Sequence, residues 1–212
     1  MKPVSKDLYQ HSAYVPQINL SFNQFLLDGD EPLLVHTGTN PQTEALLPRL
    51  KETLGGRPLK YIFASHFEGD ECGGLPLLLE EYPEAVTVCP EVTARQFAGF
   101  GQNVKTLVKK PGEKLATKDY ELEFISYPSE MHLWEGLLAM ENRRGVFFSC
   151  DLMIRRGDGD GVVIDSDWET EINGIRPEQI PDPAGLEALQ KTLRTFSPGF
   201  VAAGHGPCIR LK

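Results

Sequence analysis

The sequence predicts an α/β (α+β) fold in which two β-sheets pack face to face with helices outside, an αββα sandwich. The first observation behind this is repetition. Short apolar, strand-like runs and amphipathic helices recur in two similar successions along the 212 residues, and each sheet has to bury its apolar face against another layer. The second is position: histidines and carboxylates stand immediately after the apolar runs, where strand ends at one edge of such a sandwich would gather them.

Taken in order, residues 18–27 read as a strand, Gly29-Asp30 as a turn and residues 32–36 as the returning strand. After the turn Thr37-Gly38-Thr39, Asn40 reads as a helix N-cap with Pro41 at the first helical position. The helix carries Ala45, Leu46, Leu47, Leu50 and Leu54 and stops at Gly55-Gly56. A buried strand at 59–64 leads into His66-Phe67-Glu68-Gly69-Asp70-Glu71. Helices follow at 74–82 and 91–97, with a strand at 86–88 between them. Strands are expected at 103–108, 119–126, 136–140 and 146–149. A helix at 184–195 and a strand at 200–203 then lead to Gly204-His205-Gly206. Residues 154–183 are rich in Gly, Asp and Pro without clean periodicity and read as an excursion over one face, a lid.

Composition narrows the function classes. Hydrophobic residues at 41% and charged residues at 24% are ordinary for a globular chain, and residues 1–212 read as a single domain. A net charge of −9 argues against nucleic acid, which needs concentrated Lys and Arg. Lys105, Lys109, Lys110, Lys114 and Lys118 flank Pro111-Gly112 and read as a solvated loop. No apolar run reaches the length of a membrane span, and Met1–Gln10 lacks the apolar region of a signal peptide, so the expectation is a cytoplasmic protein with no membrane association. Four cysteines without a CxxC pair are expected to be reduced and buried.

The chemistry lies in six residues. His66, Glu68 and Asp70 follow one strand; His132 lies between two strands; Asp151 follows Val146-Phe147-Phe148-Ser149-Cys150; His205 follows the last run. If 66–71 stays extended, alternation aims His66, Glu68 and Asp70 to one side. Three imidazoles and three carboxylates without a thiolate form a metal-binding set that suits iron or manganese more than zinc. Three carboxylates would offset most of the charge of two divalent ions.

These residues resemble the metallo-β-lactamase superfamily, whose pattern is H-x-H-x-D-H after a strand and then separate His, Asp and His residues. Glu68 in place of the second histidine resembles the flavodiiron branch, a β-lactamase-like domain holding a non-haem di-iron centre. Phe148-Ser149-Cys150-Asp151, Ala203-Gly204-His205-Gly206-Pro207 and Phe22-Asn23-Gln24-Phe25-Leu26 resemble further segments of that branch. The resemblance implies a metallo-β-lactamase-type sandwich. It also implies one iron on His66, Glu68 and His132, a second on Asp70 and His205, and Asp151 bridging.

Two departures stand out. The family usually has histidine where this chain has Glu71, which leaves Glu71 as an extra ligand, a partner for a histidine N–H, or a solvated loop residue. The family's HWPD becomes His132-Leu133-Trp134-Glu135. His11 is either near the open face of the irons or an exposed terminal histidine. Flavodiiron reductases continue into a flavodoxin domain carrying FMN; after the HGP segment this sequence runs only to Lys212, so no FMN is expected in this chain. The resemblance implies binding of O2 or NO, for oxygen sensing or for reduction with an external electron donor. The expected partners are an electron-transfer or signalling protein, and a homo-oligomer is compatible with the reading. The alternative is a dinuclear metal-dependent hydrolase of the same superfamily.

Overall fold

The structure, a computed structural model, describes residues 1–128 and 136–212. Seven strands form the first sheet in chain order: β1 (Lys2–Ser5), β2 (Leu8–Val15), β3 (Leu20–Leu27), β4 (Leu33–Val35), β5 (Tyr61–Phe63), β6 (Val86–Cys89) and β7 (Thr106–Val108). The first four pair antiparallel. From β4 to β7 the pairing is parallel, which requires crossover connections. Helix α1 (Asn40–Leu54) makes the first, α2 (Gly69–Cys72) and α3 (Leu75–Glu81) the second, and α4 (Glu91–Gly99) the third.

The second sheet comprises β8 (Lys114–Ala116), β9 (Glu121–Tyr127), β10 (Gly136–Glu141), β11 (Val146–Cys150), β12 (Val163–Ser166), β13 (Phe200–Ala203) and β14 (Cys208–Leu211), in the order β12-β14-β13-β11-β10-β9-β8. Helices α5 (Trp168–Asn173) and α6 (Pro183–Leu193) lie between β12 and β13 in sequence. β11 and β13 run parallel.

Packing confirms the four layers. Phe25, Val35 and Phe63 of the first sheet share one buried cluster with Phe124, Val146 and Phe148 of the second. The outer face of the first sheet packs through Leu26, Leu34 and Ile62 on Leu46, Leu50, Leu75 and Phe97 of the helices. That of the second packs through Phe147 and Val201 on Ile172, Leu189 and Leu193. Burial also explains why α1 tolerates Pro48 in its interior. An interior proline costs ~3 kcal/mol or more. Leu46, Leu50 and Leu54 are essentially inaccessible, and each contributes roughly 1.5–3 kcal/mol. The stripe outweighs the lost hydrogen bond.

Several expectations need correction. The α1 N-cap is Thr39, one residue before Asn40, and its N–H donates to Gln42 Oε1 at 2.8 Å. Residues 154–183 are not a lid: β12 extends the sheet edge by parallel pairing with β14, and α5 follows it. A four-residue edge strand that is only half buried carries too little alternation to be recognised. Residues 66–71 do not stay extended, because Gly69 opens the short helix α2. The lysines around Pro111-Gly112 do not sit on one loop; two strands, β7 and β8, bracket that turn, and Lys105 and Lys114 pair with Glu84 and Glu121. All four cysteines are free and buried, as expected.

Candidate metal centre

Parallel strands end together, and that geometry assembles the site. His66 follows β5, Asp151 follows β11 and His205 follows β13. Glu68 caps α2 in an extended conformation, and Asp70 and Glu71 occupy the first turn of that helix. The backbone is strained here. His36, just past β4, and Cys150, at the end of β11, both have left-handed φ angles, 62° and 51°, which few side chains adopt without a constraining environment. Gly206 has φ 81°, and a Cβ there would collide with the Arg155 carbonyl oxygen, so the turn after His205 requires glycine.

The two imidazoles are oriented in the same way. His205 Nδ1 lies 3.2 Å from the Ser21 carbonyl, which can only accept, so Nδ1 carries the proton and Nε2 faces inward. His205 Nε2 is 3.2 Å from Asp151 Oδ1 and 3.5 Å from Asp70 Oδ2. His66 Nδ1 lies 3.2 Å from Ser65 Oγ and 3.4 Å from Cys150 Sγ. Its Nε2 is 3.1 Å from Glu68 Oε2, 3.4 Å from Asp151 Oδ2 and 3.7 Å from Glu71 Oε2. The two oxygens of Asp151 therefore reach one imidazole each.

Behind His66, Ser65 Oγ also meets His36 Nε2 at 2.9 Å and Cys150 Sγ at 2.9 Å. Complete burial pushes the His36 pKa down to about 3, so its ring is neutral at pH 7 and able to accept the single Ser65 hydroxyl proton. Ser65 oxygen is then left to accept from His66 Nδ1. A chain of this kind fixes the tautomer of a metal-ligating histidine.

The electrostatics call for a cation. Burial raises the Asp70 pKa, with a smaller opposing effect from His205. Burial, then the charges of Asp151 and Asp70, hold the Glu71 carboxyl well above the usual range. Burial opposes charge on His205, yet its hydrogen bond to Asp151 and the charges of Asp151 and Asp70 outweigh that and leave its pKa raised. The raised values of all three groups have one cause in common, buried carboxylates close together that favour positive charge beside them. Among the described residues, two donor groups have ligand atoms within 4.8 Å of one another, His66, Glu71, Cys150 and Asp151 in one and Asp70, Glu71 and His205 in the other. A cavity of about 260 Å³ opens above, lined by Glu68, Asp70, Asp151 and His205 with Phe22 and Tyr127 as apolar walls.

Of the six residues the sequence points to, five converge: His66, Glu68, Asp70, Asp151 and His205. His132 lies outside the described residues. His11 is not exposed. It is buried on β2, and burial lowers its pKa to about 4, the charges of Arg49 and the N-terminal ammonium adding to the shift and Asp160 opposing it. The solvated-loop option for Glu71 is overturned, since only 1% of that residue is exposed. The supporting trio His36, Ser65 and Cys150 goes unremarked in the sequence; Ser65 and Cys150 directly precede ligand candidates, the one signal available.

A two-sheet sandwich that gathers imidazoles and carboxylates at a common strand edge defines the class of β-lactamase-like metal proteins. The chain belongs to the ODP family beta lactamases, whose family model matches residues 20–206. Diflavin flavoprotein A 1 of Synechocystis is 23% identical over 205 residues, 92% of this chain and 35% of its own length. Nitric oxide reductase of Moorella thermoacetica is 27% identical over 202 residues, 88% of this chain and 50% of that protein. Among solved structures, the metal-soaked Flv1 flavodiiron core from Synechocystis superposes over 99% of this chain and 56% of its own with a TM-score of 0.80 at 23% identity. Rubredoxin oxygen:oxidoreductase from Desulfovibrio gigas gives the same TM-score at 16% identity and 57% of its length. The chain spans about a third of the diflavin flavoproteins it matches. No helix among the described residues is long and apolar enough to cross a membrane.

Proposed function

We propose that residues 1–212 form one di-iron unit that reduces O2 or NO with electrons from a separate donor protein. His66, Glu68 and His132 would hold one iron, Asp70 and His205 the other, and Asp151 would bridge them. The observation that carries this reading is Asp151, whose two oxygens stand 3.2 and 3.4 Å from the inward nitrogens of His205 and His66. The donor set fits the ions. Anionic oxygens match the imidazoles in number, and the neutral, buried thiol of Cys150, its pKa raised by burial, points at Ser65 and His66 Nδ1 rather than acting as a thiolate.

When bound, iron supplies redox change and open coordination positions for a diatomic molecule. The chain's own residues supply the rest. Ser21 and Ser65 hold the imidazoles with Nε2 inward, and the rings of Phe22 and Tyr127 pack T-shaped with those of His205 and His66, centroids 5.0 and 5.9 Å apart. Glu68, with 41% of its side chain accessible, lines the cavity and would leave its side of the iron open to an incoming small molecule. The reductase names of the Moorella and Desulfovibrio relatives support O2 or NO as substrate, and the second supports a rubredoxin-like donor. A cytoplasmic location belongs to the same proposal. Nothing in the site or among these relatives favours the hydrolase alternative.

The test is metal competition under anaerobic conditions. The protein should take close to two irons in preference to zinc, and Glu68→His should shift the iron-to-zinc ratio toward zinc by about tenfold or more, as a softer nitrogen replaces a hard oxygen. Two zincs bound to the exclusion of iron would refute the assignment.

A further inference from the structure

We propose that Glu71 is itself a metal ligand, shared between the two halves of the centre. This rests on the dinuclear reading above and extends it to a position where the resembled family carries histidine.

Three observations converge on the residue. The helical turn of α2 swings Glu71 inward instead of letting it alternate away from Asp70, and 1% of it remains accessible. Its Oε2 is buried without a hydrogen-bond partner and lies 3.7 Å from His66 Nε2. It is also the residue common to both donor groups, with His66, Cys150 and Asp151 on one side and Asp70 and His205 on the other. A buried carboxylate oxygen with nothing to accept from is costly unless a cation meets it. The neighbouring carboxylates cannot supply that charge.

Charge counting agrees. Glu68, Asp70, Glu71 and Asp151 carry four negative charges, which balance two divalent ions. With histidine at position 71 the same centre would stay net positive. An anionic oxygen there binds manganese or iron more strongly than a neutral nitrogen does, and it favours the more highly charged oxidation state.

The experiment compares the wild-type chain with Glu71→Gln and Glu71→His. Mn2+ and Zn2+ affinities are measured by chelator competition, beside the melting temperature of each metal-free protein. Glutamine keeps the shape and removes the charge. It should weaken Mn2+ binding by about 10–100-fold or more without lowering the metal-free melting temperature, because the amide keeps the shape and introduces no charge. An undiminished melting temperature separates a lost ligand from a damaged fold. Glu71→His should recover Zn2+ affinity but not Mn2+ affinity. If the wild type binds two ions and Glu71→Gln binds them equally well, Glu71 is no ligand while the dinuclear centre stands. A wild type that binds no pair of ions removes both.

Discussion

Asp151→Ala will abolish binding of both metal ions rather than one. Asp151 offers one oxygen to each side of the centre, at 3.4 Å from His66 Nε2 and 3.2 Å from His205 Nε2. On the proposed ligand set, losing it would remove a ligand from each ion and the anion that screens them from each other. Outer partners of metal ligands are worth about 10–100-fold in affinity, so removing the bridge should cost at least ~100-fold for each ion. The fold should survive, because Asp151 lies beyond the end of β11 and the buried β11–β13 pairing does not use its side chain. Elemental analysis of the variant beside its circular dichroism spectrum checks this. Retention of one full equivalent of metal would mean that Asp151 binds a single ion.

The second large effect is on stability. An ion at 1,000 times its dissociation constant stabilises the fold by ~4 kcal/mol, which in a chain of this size raises the melting temperature by about 8–16 °C per ion. Metal loading should also reverse the pH dependence. In the metal-free protein Asp70, Glu71 and His205 have raised pKa values, so the folded state holds more protons than the unfolded state and loses stability as pH rises. His36 and His11, lowered to about 3 and about 4, act oppositely, but only below the ordinary histidine value of 6.5. Between pH 6.5 and 8 the Met1 ammonium, its pKa lowered by burial, still opposes the first group, which outnumbers it. Metal-free protein should therefore melt at lower temperature at pH 8 than at pH 6.5, whereas loaded protein, in which protons compete with metal, should melt at higher temperature. Thermal melts across that range, with and without metal, test both slopes.

The sandwich was legible because its central strands are long or strongly apolar, as in Phe25-Leu26-Leu27 and Val146-Phe147-Phe148, and because Gly55 and Gly204-His205-Gly206 punctuate them clearly. The margins were not. β1, β8, β12 and β14 are short, with three or four residues each, and owe their existence to a neighbouring strand rather than to their own pattern. The ligand candidates were legible because each follows an apolar run directly. Glu71 was ambiguous for a specific reason: reading 66–71 as extended places it opposite Asp70, whereas the helical turn at Gly69 brings both inward. His36 and Ser65 were hidden because the contacts that give them a role span 29 residues of sequence. No local pattern encodes a contact of that kind.

The central claim is that this centre reacts with O2, and rapid mixing of the anaerobically prepared ferrous protein with O2 tests it most directly. A single burst of absorbance change, with amplitude set by the number of dimetal sites, is the predicted result, followed by continued O2 consumption only when an external reductant such as a reduced rubredoxin is present. No O2-dependent change, together with sustained cleavage of an activated ester or phosphodiester by the same sample, would contradict the account.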